Sequence, residues 1–288
     1  MMSQFRVHFF KENNQTIDIE AIFAFFQYEL GFSVDADETN ARFIFEHKTL
    51  HLKCLFMITP KTTVPDIYRL SPKYLDINVH FDMPLMTSSY MANQFFKFIE
   101  AFSRKFHLYI YHPLFEDVLS YQYDVLNQVF KMVKEASIRK DMSLLEPFEV
   151  IEQHILFHIF KYSDDLMDLK DYYDDVDTFV SGYELTKCHD HLHIGFHWYD
   201  NQPAVIPPFV NVCYFHIVDT VKIIHYLDIE MLIDKYTVKV PGTIEGTKVI
   251  PKKLLPKAIK VLKKAHGLKA LCNEGKRIPL NALMDIES

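Results

Sequence analysis

The sequence predicts an α+β fold in two domains, and three observations support this prediction. Segments that alternate apolar and polar residues, as half-buried strands do, occur in both halves, and stretches with helical apolar spacing separate them. Only seven glycines are present, and none forms a G-x-G-x-x-G or G-x-x-x-x-G-K motif, which disfavours dinucleotide-binding and P-loop folds. A chain of 288 residues with 49% hydrophobic residues can bury the core of one large or two ordinary domains.

The first elements of the chain are a strand and a helix. Residues 5–10 alternate apolar and polar side chains and predict the strand. Apolar residues then recur at helical spacing from Ile19 to Leu30, with Asp18 placed to cap the start and Gly31 just beyond the end. We therefore expect a helix between these two capping residues.

Further strands and a second helix complete the first predicted domain, residues 1–113. The strands are expected at 42–47, 50–58, 75–83 and 107–111, and the helix at 91–102. The resulting order, β-α-β-β-β-α-β with mostly antiparallel pairing, resembles a ferredoxin-like sandwich with one added strand. We place the domain boundary near Pro113.

The second predicted domain, residues 114–288, combines helices with an antiparallel sheet. Helices are expected at 115–140, from 147 to 160, over the acidic run 164–177, and from 251 to 267; strands are expected at 188–198 and, as its antiparallel neighbour, 209–219. Two or three helices, the sheet and a basic C-terminal helix would make up this domain.

A histidine ladder is the most distinctive chemical feature of the second domain. If residues 188–198 are extended, the side chains of His189, His191, His193 and His197 point to one face and the bulky apolar side chains to the other. The preceding helix adds His154 and His158 at i, i+4, a spacing that lets two helical side chains share an ion. These six histidines are candidate ligands for zinc or another divalent transition metal.

The same residues also fit interpretations that need no metal. A sheet face decorated with histidines would titrate near pH 6.5, because neighbouring imidazoles repel one another once protonated. Such a face would loosen in mild acid. No H-E-x-x-H motif follows His154, so a zincin-type protease is disfavoured.

Charge is distributed unevenly along the chain. The net charge is −7, yet residues 235–277 hold twelve Lys or Arg and two Glu. Candidate partner-binding residues are Asp164, Asp168, Asp171 and Asp175 on the acidic helix and Lys252, Lys253, Lys257, Lys260 and Lys264 on the basic one. Both charged faces are alternatively ordinary solvated surfaces, and the acidic run lacks the glycine of a calcium-binding EF-hand loop.

The function predicted from these features is a non-catalytic, cytoplasmic protein that binds another protein in an immunity, inhibitory or accessory role. A metal-dependent hydrolase that uses the histidine-rich strand is the alternative. Nucleic-acid binding through the basic helix ranks third, because the chain is acidic overall and lacks the signature of an RNA-binding sheet. No membrane span or secretory leader is expected, and four scattered cysteines without a C-x-x-C pair predict small buried side chains.

Overall fold

A computed structural model describes residues 4–37, 39–240, 245–268, 270–271 and 275–286. The fold is mixed α+β, as the sequence predicts, and the chain divides into two compact units, Met1–Phe148 (unit 1) and Glu149–Ser288 (unit 2). In the described ranges, no helix has both the length and the apolar character that crossing a bilayer requires.

The described residues of unit 1 form an antiparallel sheet of seven strands and three helices. Its strands are β1 (Gln4–Glu12), β2 (Ser33–Ala36), β3 (Ala41–Glu46), β4 (Lys53–Ile58), β5 (Tyr74–Pro84), β6 (Tyr109–Tyr111) and β7 (Leu119–Ser120). Its helices are α1 (Ile19–Ala24), which continues as a π-helical turn (Phe25–Glu29), α2 (Ser89–Lys105) and α3 (Tyr123–Lys140). The strand order is β2-β3-β4-β5-β1-β6-β7.

Phenylalanine packing between the sheet and the helices forms the core of unit 1. The ring of Phe26 lies 4.5 Å from that of Phe56 on β4 and 4.9 Å from that of Phe102 on α2. Local capping supports the predicted helix starts, because the Asp18 side chain accepts a hydrogen bond from the Glu20 amide and Ser88 Oγ accepts one from the Met91 amide.

The ferredoxin-like arrangement is not confirmed. The largest sheet has seven antiparallel strands, two more than the predicted order β-α-β-β-β-α-β contains. The alternation pattern does not reveal β2 and β7, because both are short strands at the sheet edges. The predicted boundary near residue 113 falls between β6 and β7 and stays a prediction.

In the part of unit 2 that the structure describes, there are three sheets and four helices. Its strands are β8 (Glu149–Val150), β9 (Phe179–Val180), β10 (Glu184–Cys188), β11 (His191–Tyr199), β12 (Ala204–Ile206), β13 (Val212–Ile217), β14 (Thr220–His225), β15 (Val238–Lys239), β16 (Lys248–Ile250), β17 (Lys276–Arg277) and β18 (Leu283–Met284). Its helices are α4 (Gln153–Asp164), α5 (Leu166–Asp174), α6 (Leu227–Ile233) and α7 (Leu255–Lys264). The sheets have the orders β14-β13-β11-β10-β17, β15-β16-β12-β9 and β18-β8.

The predicted strand 188–198 differs from the structure at its start. Cys188 ends β10 and pairs with His191, the first residue of β11, so His189 lies in the hairpin turn between them. The φ angle of His189 is 53°, in the left-handed region that two-residue hairpin turns require. The face alternation predicted for the rest of the strand is present, since Ile194, Phe196 and Trp198 are buried.

Two other predicted features of unit 2 also differ. Strand β13 pairs with β11 in parallel rather than antiparallel, because the intervening chain first contributes β12 to another sheet before it returns. The acidic run does not form one helix, because α4 ends at Asp164 and α5 begins at Leu166. Asp164 is therefore not part of the helical face that carries Asp168 and Asp171.

The cysteines follow the prediction in part. Cys54 and Cys213 are buried free thiols, as expected of small apolar side chains. Cys188 is disulfide-bonded, which the scattered spacing of the cysteines did not predict. Cys272 lies outside the described residues.

Candidate functional site

A cleft of about 640 Å³ opens in unit 2. Its walls come from α4, the segment between β12 and β13, the start of α6, and β16 with the residues just before it. The volume lies in the range of ligand-binding clefts in proteins, which is about 300–1,000 Å³. The cleft is therefore the first candidate for a binding site.

Two of the predicted histidines line this cleft. His154 and His158 lie one turn apart on α4, and their rings lie 5.5 Å and 5.1 Å from the ring of Phe209. Nδ1 of His158 is 2.7 Å from the His154 carbonyl oxygen. Because a carbonyl oxygen only accepts, Nδ1 carries the hydrogen, and Nε2 is the acceptor of the neutral ring.

An ion-pair network that the sequence analysis missed lies beside the histidines. Lys248 Nζ is 2.6 Å from Asp234 Oδ1 and 3.7 Å from Glu230 Oε1. The hydrogen bond from Lys248 lowers the pKa of Asp234. The cleft thus combines imidazole, carboxylate and ammonium groups with apolar walls.

Large apolar side chains are exposed at and beside the mouth of the cleft. Phe209 and Leu227, which line it, are 40% and 71% exposed, and Met231, one turn further along α6, is 88% exposed. The backbone of Phe209 has a φ of 58°, which is uncommon for a bulky residue. The Tyr183 hydroxyl donates a hydrogen bond to the Pro208 carbonyl and helps to hold this segment.

A second polar surface, the imidazole face, lies on the five-stranded sheet. Parallel pairing aligns His197 with Tyr214 and Tyr199 with His216, so each imidazole stacks on a phenol of the neighbouring strand. The stacked ring pairs have centroid distances of 5.0 Å and 4.4 Å and interplanar angles of 21°. Nδ1 of His197 and Nε2 of His216 are 2.8 Å apart.

Protonation of the two hydrogen-bonded imidazoles is disfavoured. Burial lowers the pKa of both His197 and His216, and the pKa of His197 is lowered further by positive charge on His216. His193 also lies on this face, with its ring 6.5 Å from that of His225 on β14. His191 is exposed at the start of the strand.

The predicted six-histidine metal site is spread over three locations. His154 and His158 are in the cleft, His189 is in a turn, and His191, His193 and His197 are on β11. Among the described residues, no three His, Cys, Asp or Glu side chains are grouped as metal ligands. The six-ligand site and the hydrolase that depends on it therefore stay predictions.

Sequence analysis missed the partners of His197. Tyr214 and His216 alternate with buried residues on β13, so their common face is visible in the sequence. Their position beside His197 depends on the parallel register of two strands, and antiparallel pairing was expected.

A buried polar cluster in unit 1 was also missed. Arg6 and His8 on β1 pair with Asp82 and His80 on β5. The Arg6 guanidinium donates two hydrogen bonds of 2.7 Å to the Asp82 carboxylate, and His80 Nε2 is 3.6 Å from Asp82 Oδ2. Three of these side chains are almost fully buried: His8, His80 and Asp82.

The pKa values of Asp82 and His8 in this cluster are both shifted from their ordinary values. Burial would raise the pKa of Asp82, but the hydrogen bonds and positive charge of Arg6, together with the imidazole of His80 nearby, outweigh it, and the pKa is lowered. Burial, with positive charge on His80 and Arg6, lowers the pKa of His8 to about 3. His8 is therefore neutral at physiological pH.

The candidate partner-binding charges are mostly at the surface. Asp168, Asp171 and Asp175 are exposed, whereas Asp164 is half-buried. All five candidate lysines are exposed, and none forms an ion pair with a carboxylate of the described residues: Lys252, Lys253, Lys257, Lys260 and Lys264. Lys257, Lys260 and Lys264 lie on α7 with the i, i+3, i+7 spacing of one helical face, whereas Lys252 and Lys253, which the sequence placed on the helix, lie in the turn before it.

Comparison of the chain with protein-family models, curated proteins and solved structures finds no match.

Proposed function

We propose that this protein acts without catalysis, by binding another protein through the cleft of unit 2 and the apolar side chains at its mouth. The observation that carries the proposal is the exposure of Leu227 and Met231 one turn apart on α6, next to Phe209 at the cleft. Grouped exposed apolar side chains beside a cleft are typical of surfaces that a partner covers.

The position of the apolar side chains favours a protein ligand over a small molecule. A small molecule inside the cleft would leave Met231 in water, because this side chain is 88% exposed and is not part of the cleft lining. A polypeptide can fill the cleft and cover α6 at the same time. Methionine suits such a contact, since its flexible side chain adapts to the partner surface.

The polar groups of the cleft would orient the bound segment. His158 offers Nε2 as an acceptor, and Glu230 offers carboxylate oxygens near Lys248. Few, well-placed polar groups within apolar walls are what gives a binding cleft its specificity. We therefore expect a ligand segment with an apolar anchor and a hydrogen-bond donor close to it.

The basic helix would contribute to the rate of association rather than to the contact itself. Lys257, Lys260 and Lys264 on α7, with Lys253 in the turn before it, form an exposed positive surface. Exposed charges of one sign attract an acidic partner over a distance of about 10 Å at ordinary ionic strength. Added salt should slow the association of such a partner.

A peptide library displayed on phage or yeast tests the proposal directly. We expect the full chain to select a family of related sequences, and the selected peptide to bind a Leu227→Asp/Met231→Asp variant at least about tenfold more weakly, a loss of about 1.4 kcal/mol. The cause would be two carboxylates placed on the apolar contact surface.

Met167→Asp is the matched control, because Met167 is also an exposed methionine on a helix of unit 2, at 62% exposure. It should bind the peptide as the unmodified protein does. Selection of no peptide above background, or equal weakening in both variants, would contradict the proposal.

A further inference from the structure

His197 and His216 bring two imidazole nitrogens close together on the imidazole face. Their facing nitrogens, Nδ1 of His197 and Nε2 of His216, are 2.8 Å apart. Two imidazole nitrogens that bind one tetrahedral metal ion, each at about 2.0–2.1 Å, lie about 3.3 Å from each other. If the gap widened by about 0.5 Å and the rings turned so that both lone pairs met at one point, a metal ion could take the place of the hydrogen.

Neighbouring side chains hold both rings in this orientation. His197 stacks on Tyr214 and His216 stacks on Tyr199, each at 21° between the ring planes. The Tyr214 ring in turn packs closely over Gly195, whose lack of a Cβ atom leaves room for it. Rings that are already oriented lose little conformational freedom when they bind an ion, which favours chelation.

The surroundings leave space and charge for a cation. Both imidazoles are half-buried rather than enclosed, so water can complete the coordination. The negative charge of Glu184 favours positive charge at His197, while Arg277, which is paired with Glu184, opposes it.

We propose that His197 and His216 bind a divalent transition-metal ion of the copper, nickel or zinc class. Each histidine supplies one nitrogen, and water supplies the remaining ligands. Imidazole nitrogen is the preferred ligand type for these ions. The site shares only His197 with the six histidines singled out by sequence, and it is independent of the proposed binding of a partner protein.

Binding involves no net gain or loss of protons when both rings are neutral. The hydrogen between them lies on one of the two facing nitrogens. That ring moves its hydrogen to its other nitrogen, through solvent, and both facing lone pairs then point at the ion. Acid would compete with the metal, because protonated imidazole has no lone pair to donate.

The single tryptophan of the chain provides a local readout. Trp198 is adjacent to His197, is fully buried, and donates a hydrogen bond from its indole to the Gln202 carbonyl. A Cu²⁺ ion quenches tryptophan fluorescence at short range, so an ion bound at the pair is detected in preference to ions on distant histidines.

The test is a Cu²⁺ titration of the full chain at pH 7.5, followed by Trp198 fluorescence. We expect saturable quenching with one equivalent, reversal by excess EDTA, and an affinity at least about tenfold lower for His197→Asn and for His216→Asn. His225→Asn is the matched control, since His225 is on the same face but outside the pair, and its titration should match that of the unmodified protein.

Circular dichroism of each metal-free variant establishes that the fold is retained. Weak binding can then be attributed to the lost histidine and not to unfolding. Quenching that is absent or unsaturable in the unmodified protein would overturn the proposal. So would a His216→Asn variant that titrates like the unmodified protein, or a His225→Asn variant that loses binding to the same extent.

Discussion

The buried histidines of unit 1 and the imidazole face of unit 2 show how burial changes the chemistry of the same side chain. His8 and His80 face each other across β1 and β5 and are only 3% and 2% exposed. His197 and His216 face each other across β11 and β13 but remain half-buried. Both pairs lie on neighbouring strands, yet only the second pair is exposed enough for solvent or a ligand to reach it.

The difference lies in what surrounds each pair. In unit 1, the ion pair of Arg6 and Asp82 lies beside the histidines, and desolvation keeps His8 neutral. In unit 2, tyrosines stack on the imidazoles and water reaches them. We infer that the first cluster serves stability and that the second is suited to binding.

The largest expected effect comes from breaking the buried ion pair. Arg6→Met leaves the Asp82 carboxylate, which is 3% exposed, without its bidentate partner and should lower the free energy of unfolding by about 3 kcal/mol. Urea unfolding at pH 7 measures it. Arg277→Met is the matched control, because Arg277 pairs with Glu184 at the surface, and it should cost at most about 0.5 kcal/mol. Equal losses of unfolding free energy in the two variants would show that the buried ion pair of unit 1 stabilises the fold no more than the surface pair of unit 2.

The next largest effect is a loss of stability in acid that is caused by protonation of His8. The pKa of His8 is about 3 in the folded protein and 6.5 ordinarily, so the unfolded chain takes up a proton first as the pH falls. The stability associated with His8 is complete above pH 6.5 and is lost progressively toward pH 3. At pH 5 the loss should be about 2 kcal/mol.

Urea unfolding at pH 7 and pH 5 tests this contribution. In His8→Gln, the difference between the two pH values should shrink by about 2 kcal/mol, whereas His197→Gln, at a half-buried position, should change it less. An unchanged pH dependence in His8→Gln would show that His8 is not the titrating group.

A smaller effect is expected where the imidazole face is packed most tightly. A Cβ atom at Gly195 would overlap the ring of Tyr214 and lie 3.2 Å from the Glu184 carbonyl oxygen. Gly195→Ala should therefore cost about 1 kcal/mol and disturb the stack of Tyr214 on His197. Gly182→Ala is the control, since its Cβ would meet only Leu166 at 3.4 Å. Thermal unfolding of both variants should separate them.

The smallest effect should come from His216→Asn without metal. It removes one half-buried hydrogen bond, so we expect a loss below about 1 kcal/mol. A loss as large as that of Arg6→Met, measured in the same urea experiment, would mean that the imidazole face stabilises the fold as the buried cluster does.

Local patterns in the sequence determined much of the secondary structure. Helices α1 and α2, their capping residues Asp18 and Ser88, and the alternation along β5 and β11 are set by residues within a few positions of one another. Periodicity and capping act over one or two turns, so a sequence alone carries them. The exposed lysines of α7 were predicted for the same reason.

Only the tertiary structure decided which of these elements meet. Arg6 and Asp82 are 76 positions apart, and the cleft joins residues from His154 to Lys248. The partner of His197 follows from the parallel register of β11 and β13, and a different strand direction would have placed other side chains beside it. Register and strand order are set by long-range packing of whole elements, and no local periodicity encodes them.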